Sequence, residues 1–234
     1  MPTEAIKRRW PAVLIDLDGT LVDSVPDLAI SINLMRADLG LPSQDEGLLR
    51  TFVGNGVWRL VERSLAGTID GLVDDKRVEE AYPLFLNHYR DHLCDKSVCY
   101  PGVNAGLERM SRGGIMLACV TNKPESFSHQ LLEQLGIRHY FCSLVGGDTL
   151  TDKKPHPEPL RHAARGLGFA VESCILVGDS ASDIKAARAA GCDSICVSYG
   201  YNQGVDLESL KPTYLVDKFA AAVDEVLRLD GMQS

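Results

Sequence analysis

Two hydrophobic periodicities divide the chain. From Gly102 onward, short apolar runs alternate with amphipathic helical stretches, as in βαβ units, whereas residues 26–95 carry helical spacing with no convincing strand among them. The runs predict strands at Ile115–Thr121, Ser143–Val145, Cys174–Val177 and Ser194–Val197, and a short one at Tyr214–Val216. Helices fall near 102–113, 124–136, 157–168, 181–191 and 218–229, with Gly114, Gly136, Gly168 and Gly191 where they should stop. One more run, Ala12-Val13-Leu14-Ile15, stands apart near the N-terminus. Bounded by Pro11 and Gly19, it reads as a buried strand of a parallel sheet.

That isolated strand belongs with the later ones, so the helical stretch interrupts their sheet. The expected architecture is a doubly wound α/β core of residues 1–24 and 96–234, with a helical segment of residues 25–95 inserted after the first strand. Helices are predicted there at 26–39, 45–53, 56–66 and 74–93. Ser24 or Val25 sits at the first cap, Pro26 suits the first turn and Gly40 closes the far end. Pro83 is expected to kink or divide the last helix unless it lies in a first turn. Leu21–Pro26 reads as a short turn, and Asp95–Pro101 as the return linker.

Composition narrows the function classes. The apolar share of 45% and charged share of 24% are those of a soluble globular protein. A net charge of −8 argues against nucleic acid or an anionic membrane as the main partner. Met1 to Trp10 holds three basic residues, but the apolar run that follows breaks at Asp16, too soon for a signal peptide, and no run approaches membrane-spanning length. A cytoplasmic protein is expected. The seven cysteines include no CxxC, and Cys119, Cys174 and Cys196 fall in or beside strand-like runs as small buried hydrophobes.

Chemistry gathers at the strand ends, which in a parallel sheet share one edge. The first strand ends in Asp16-Leu17-Asp18-Gly19-Thr20, which is either a pair of working carboxylates or an Asx-turn. The second ends in Thr121-Asn122, followed by Lys123-Pro124 opening a helix. A hydroxyl at a helix N-terminus makes an anion site, although Thr121 can equally serve as a cap. After the third comes Asp152-Lys153-Lys154-Pro155-His156-Pro157-Glu158-Pro159, a stiff extended loop that fixes Lys154 better than Lys153 or else lies solvated on the surface. The fourth ends in Gly178-Asp179, with Asp183 in the first helical turn, where an acidic residue also suits the helix dipole.

Four carboxylates (Asp16, Asp18, Asp179, Asp183) and Lys154 on one edge leave a charge of −3. Each close carboxylate pair costs about 4 kcal/mol at about 4 Å and an effective dielectric near 20. A divalent cation reduces the sum to −1 and a proton on Asp18 removes the rest. All-oxygen donors without histidine or cysteine point to Mg²⁺. Hydroxyl, amide and ammonium donors facing such an ion suit a phosphoryl group.

These four stretches, in this order and on these elements, resemble the motifs of the haloacid dehalogenase superfamily, and the resemblance spans the whole core. It implies a Rossmann-like core with a helical cap domain at roughly 25–95. Within the superfamily, Leu21–Leu28, Val53-Gly54-Asn55-Gly56-Val57 and Val197–Asn202 resemble the phosphoglycolate phosphatases. The resemblance implies that Asp16 is a nucleophile forming an aspartyl-phosphate and that Asp18 is the acid and base. It also implies that Asp16, the backbone carbonyl of Asp18 and Asp179 hold Mg²⁺, with Asp183 in support. Thr121 and Lys154 would clamp the phosphoryl oxygens, helped by backbone amides near Gly19 and Asn122.

The substrate would then be a small phosphorylated organic acid, 2-phosphoglycolate, handled by a monomer or homodimer. Gly54-Asn55-Gly56 leads into a predicted helix where its amides can meet a small anion. Arg59 and Arg63, one turn apart, are either partners of a substrate carboxylate or exposed helix arginines. The core motifs equally serve a phosphatase or mutase acting on a sugar phosphate, an amino-sugar phosphate or pyrophosphate. A phospho-aspartate switch is a third reading, although it has no need of the helical insert. A dinucleotide site is excluded, because Arg59 stands where the third glycine would be required.

Overall fold

The computed structural model describes residues 9–228. Most of the basic N-terminal stretch and the last residue of the helix expected at 218–229 lie outside them. Among the described residues, eight strands and nine α-helices follow in chain order: β1 (Ala12–Ile15), β2 (Val22–Asp23), α1 (Val25–Asp38), α2 (Glu46–Arg50), α3 (Val57–Ala66), α4 (Asp75–Asp91), β3 (Val98–Cys99), α5 (Val103–Arg112), β4 (Met116–Val120), α6 (Glu125–Gln134), β5 (Ser143–Val145), α7 (Glu158–Leu167), β6 (Cys174–Gly178), α8 (Ala181–Ala190), β7 (Asp193–Val197), β8 (Tyr214–Val216) and α9 (Phe219–Leu227).

The predicted runs form one six-stranded sheet in the order β5-β4-β1-β6-β7-β8, with every pairing parallel. The chain winds outward from β1 through β4 and β5, then returns to the other side through β6, β7 and β8. That reversal is the doubly wound topology, and it opens a crevice between the carboxyl ends of β1 and its neighbours. Alternate residues of β1 enter different layers. Val13 and Ile15 join the core shared with α5 and α9, and Ala12 and Leu14 the core under α7 and α8. All four are fully buried, which is why this strand reads as an unbroken apolar run.

The insert holds the four expected helices, α1 to α4. Pro83 does not divide α4, which continues through it. Pro83 and Glu79, the residue whose carbonyl it leaves unpaired, are both exposed, so water can satisfy that carbonyl. The short turn and return linker hide two strands: β2 and β3 form an antiparallel ribbon, with Val22 opposite Cys99 and Asp23 opposite Val98. Two residues per strand are too few to show a period. The buried carboxylate of Asp27, in the first turn of α1, accepts the Lys96 and Ser97 amides at 2.7–3.0 Å and the Ser97 hydroxyl at 2.6 Å. The two crossings between core and insert are thereby fastened to each other.

No described helix is long and apolar enough to cross a membrane. All seven cysteines are unpaired, with Cys119, Cys174 and Cys196 buried as expected.

Candidate active site

Asp16 is the first residue past β1. Its amide donates to the Val177 carbonyl at 2.9 Å, so the strand ends carrying Asp16 and Asp179 lie side by side. The Lys154 ammonium lies 2.8 Å from Asp16 Oδ1 and 2.7 Å from Asp183 Oδ1, and donates to the Val120 carbonyl at 2.7 Å. The lysine is 4% exposed, so the proline-rich loop delivers it inward rather than into solvent. Burial opposes its charge, but Asp16 and Asp183 outweigh that and hold its pKa above the ordinary range.

Asp179 is enclosed. Its Oδ1 accepts the Thr20 hydroxyl at 2.8 Å and its Oδ2 the Tyr201 amide at 2.6 Å. Gly19 and Gly200 approach it from two sides, and a Cβ on either would sit 2.3 Å from Oδ2. Gly19 also has φ +90°, where a side chain is strained. Its amide, expected to face a phosphoryl group, instead donates to the Val22 carbonyl at 2.9 Å. The glycine thus serves close approach rather than anion binding.

Asp183 is the acidic residue at the third helical position of a capping box at α8: its Oδ2 accepts the Ser180 amide and hydroxyl. Carboxylate oxygens of Asp16, Asp179 and Asp183 all lie within 4.8 Å of one another. Burial first, then mutual repulsion, pushes Asp16 up to about 7 and Asp179 well above the carboxylate range. A buried, all-oxygen trio that resists ionising on its own fits a hard divalent cation.

Asp18 stands apart from this trio. Its carboxylate meets the Lys123 ammonium at 3.1 and 3.3 Å and the Ser24 hydroxyl at 2.5 Å. The side chain is therefore engaged elsewhere, and only its backbone carbonyl is left to join a metal site. Lys123 is 4% exposed and also donates to the Tyr89 hydroxyl of α4. Counting Lys154 alone understated the positive charge. With Lys123 present, four carboxylates face two ammoniums, and one divalent cation closes that deficit.

Thr121 does not cap α6, whose N-cap is Pro124; its hydroxyl accepts the Lys123 amide at 3.2 Å. Asn122 spans both parts of the molecule, donating to the Gly54 carbonyl at 3.2 Å and the Lys154 carbonyl at 3.0 Å. Asp16, Asp18, Thr121, Asn122, Lys123, Lys154, Ser180, Ser182 and Asp183 line one cleft, closed on the insert side by Leu28, Val53, Gly54, Gly56, Val57 and Leu60. Ser182 Oγ and Asn122 Oδ1 are buried there without protein partners, as polar atoms reserved for a ligand are. Asn55 does not line this cleft; its Oδ1 accepts from Gln203, which also donates to the Val53 carbonyl.

The two arginines require correction. Arg63 is buried inside the insert, donating to the Ile69 carbonyl at 2.9 Å and the Phe52 carbonyl at 2.8 Å, and Arg59 pairs with Glu62. Neither lines the cleft. Helical spacing put them on one face but could not say which way it turned. Lys123, Tyr89, Tyr201 and Ser182 carry no site role in the sequence reading, and Ser24 only that of a helix cap, which it is. Lys123 left a trace as the lysine immediately after Thr121-Asn122.

A family model described as haloacid dehalogenase-like hydrolase matches residues 13–197. The phosphoglycolate phosphatase of Nitrosococcus oceani is 47% identical over 205 residues, covering 88% of this chain and 91% of that one. Its namesake from Colwellia psychrerythraea is 45% identical over 209 residues, covering 88% and 92%. A crystal structure from Haemophilus somnus, described as a predicted phosphoglycolate phosphatase, superposes with a TM-score of 0.86 at 35% identity, covering 93% of this chain and 98% of that one. Sequence, topology and the acidic edge of the sheet agree, and the chain belongs to the haloacid dehalogenase-like hydrolases.

Proposed function

We propose that the protein is a Mg²⁺-dependent phosphatase that hydrolyses 2-phosphoglycolate to glycolate and phosphate through an aspartyl-phosphate on Asp16. One observation carries this reading: two carboxylates from one strand end, Asp16 and Asp18, each hold their own buried ammonium. That separation suits two different roles.

Asp16 attacks phosphorus, and Lys154 favours its anionic form. Asp18 gives a proton to the departing glycolate oxygen, then takes one from the water that attacks the phospho-aspartate and frees phosphate. Lys154, Thr121 and the Ser182 hydroxyl, which line the cleft, would bind phosphoryl oxygens, with backbone near Asn122. Asp16, the Asp18 carbonyl and Asp179 would hold Mg²⁺, with Asp183 in support. When bound, the ion would neutralise charge on the phosphoryl oxygens. Residues 25–95 act as a cap whose apolar Leu28, Val53, Val57 and Leu60 exclude water. Gly54 and Gly56 then offer backbone to the part of the substrate beyond the phosphate.

The names of the relatives support 2-phosphoglycolate. A second reading has its own support. No charged side chain from the insert lines the cleft, which favours an uncharged leaving group such as a sugar. Phosphate release from 2-phosphoglycolate, sugar phosphates, an amino-sugar phosphate and pyrophosphate, with Mg²⁺ and with excess EDTA, decides between them. The proposal expects 2-phosphoglycolate far ahead in kcat/KM and no release in EDTA. A sugar phosphate in front moves the substrate to the second reading. Turnover by Asp16→Asn overturns the nucleophile assignment.

A further inference from the structure

We propose that Lys123 is the positioning residue for Asp18, and that Tyr89 ties this lysine to the helical insert. The inference rests on the phosphatase reading and goes beyond it. Lys123 follows the Thr121-Asn122 pair, and its ammonium is enclosed between two parts of the molecule. On the core side it meets both oxygens of Asp18, at 3.1 Å (Oδ1) and 3.3 Å (Oδ2). On the insert side it donates to the hydroxyl of Tyr89, whose ring centroid lies 4.6 Å from the same nitrogen.

Tyr89 is well placed to hold the ammonium still. It is fully buried near the end of α4, with its ring 5.4 Å from that of Phe85 and 5.1 Å from that of Phe127. Phe127 belongs to α6 of the core, so the tyrosine is clasped from both sides. A space-filling role alone would not call for an ammonium, since an apolar side chain fills such a volume without the desolvation cost. What the ammonium adds is direction.

The Ser24 hydroxyl also donates to Asp18 Oδ1, at 2.5 Å. Oδ1 is thus fixed by two donors, whereas Oδ2 has only the longer Lys123 contact. This leaves Oδ2 as the oxygen that exchanges a proton with the leaving group. Because Tyr89 belongs to α4, any displacement of α4 against the sheet reaches the ammonium and, through it, Asp18. Lys123 therefore makes the proton-handling group answer to the position of the insert.

The test uses leaving groups of different need. An alkyl phosphoester, the preferred one from the panel above, requires a proton on its departing oxygen. In p-nitrophenyl phosphate the nitrophenolate departs without one. Since kcat/KM covers events up to that departure, mispositioning Asp18 should harm the alkyl substrate selectively. Lys123→Met is expected to lower kcat/KM for the alkyl substrate at least about tenfold more than for p-nitrophenyl phosphate. Tyr89→Phe should show the same selectivity with a smaller loss, and Lys123→Arg should recover part of it. Equal losses on both substrates, or no loss, overturn the proposal. Should Lys123→Met fail to fold, Tyr89→Phe, which removes a single oxygen, decides by the same criterion. Absence of turnover by the wild-type protein on every phosphoester would sink the phosphatase reading itself. Active wild-type protein with unselective variants sinks only the role given to Lys123.

Discussion

Lys154 reaches Asp16 at 2.8 Å from a loop far along the chain, and the same ammonium closes on Asp183 at 2.7 Å. One cation thereby spans the proposed nucleophile and the acidic residue that opens α8. Replacing it with an apolar side chain leaves two buried carboxylates facing each other. Lys154→Met is expected to cost about 3–5 kcal/mol of stability in EDTA. It should also lower kcat by about 10²–10³-fold through the lost phosphoryl contact. Chemical denaturation and steady-state assays of the purified variant check the two halves separately.

The acidic trio gives metal-free protein a specific pH dependence. Burial, then the charge of Asp183, raises Asp16 from 3.8 to about 7 against the opposing pull of Lys154. A carboxylate with a folded pKa above its unfolded one binds more protons when folded. Its contribution to stability therefore falls as pH rises between those two values. In EDTA, Asp16 is expected to lower Tm progressively from about pH 4 to about pH 7, and Asp16→Asn should flatten that slope. Mg²⁺ at about 100 times its Kd should raise Tm at pH 7.5 by about 5–10 °C, and by less at pH 5. Thermal melts across this range, with and without the ion, give the answer.

Tyr201 and Gly200 offer a contrast between neighbours. The Tyr201 hydroxyl accepts the Ser24 amide at 2.9 Å and donates to Asp23 at 2.7 Å, whereas its amide serves Asp179. Tyr201→Phe strands a buried N–H and should cost about 1–3 kcal/mol, leaving Mg²⁺ affinity unchanged. Gly200→Ala drives a methyl group into Asp179 and should weaken Mg²⁺ binding. Calorimetric titration of Mg²⁺ into each variant separates the two effects.

Arg63 is expected to matter for folding and not for substrate. Arg63→Met leaves the Phe52 and Ile69 carbonyls without their donor and should lower Tm by several degrees. KM for the preferred phosphoester should stay at the wild-type value. A rise in KM without a fall in Tm would reverse this assignment.

Strand ends were the most legible feature of the sequence, because a parallel strand buried on both faces shows as an unbroken apolar run, and the residue that follows it stands out. Asp16 and Asp179 could be aligned by that rule alone. Lys154 was legible through its prolines, which deny the loop any other structure. What stayed hidden depends on the orientation of elements rather than their identity. The direction in which α3 turns decides that Arg63 faces carbonyls of the insert and not the cleft. The pairing of Lys123 with Tyr89 joins residues 34 positions apart on different layers, and no local period reports it. The β2–β3 ribbon is invisible for a simpler reason: two residues carry no alternation.

That ribbon has a consequence for the ancestry of the fold. The insert is flanked by directly opposed residues, Asp23 and Val98, so removing or exchanging everything between them leaves the sheet's own connections untouched. A segment attached in this way is a cassette. Its replacement changes what the cleft admits without altering how the edge of the sheet cuts a phosphoester. The limit on such exchange is set by the bonds that reach across, among them Asn122 to Gly54, Gln203 to Val53, Arg50 to Asp23 and Lys123 to Tyr89. A transplanted cassette must bring its own counterparts of Gly54, Val53 and Tyr89, or Asn122, Gln203 and Lys123 will each lose the partner that the insert supplies.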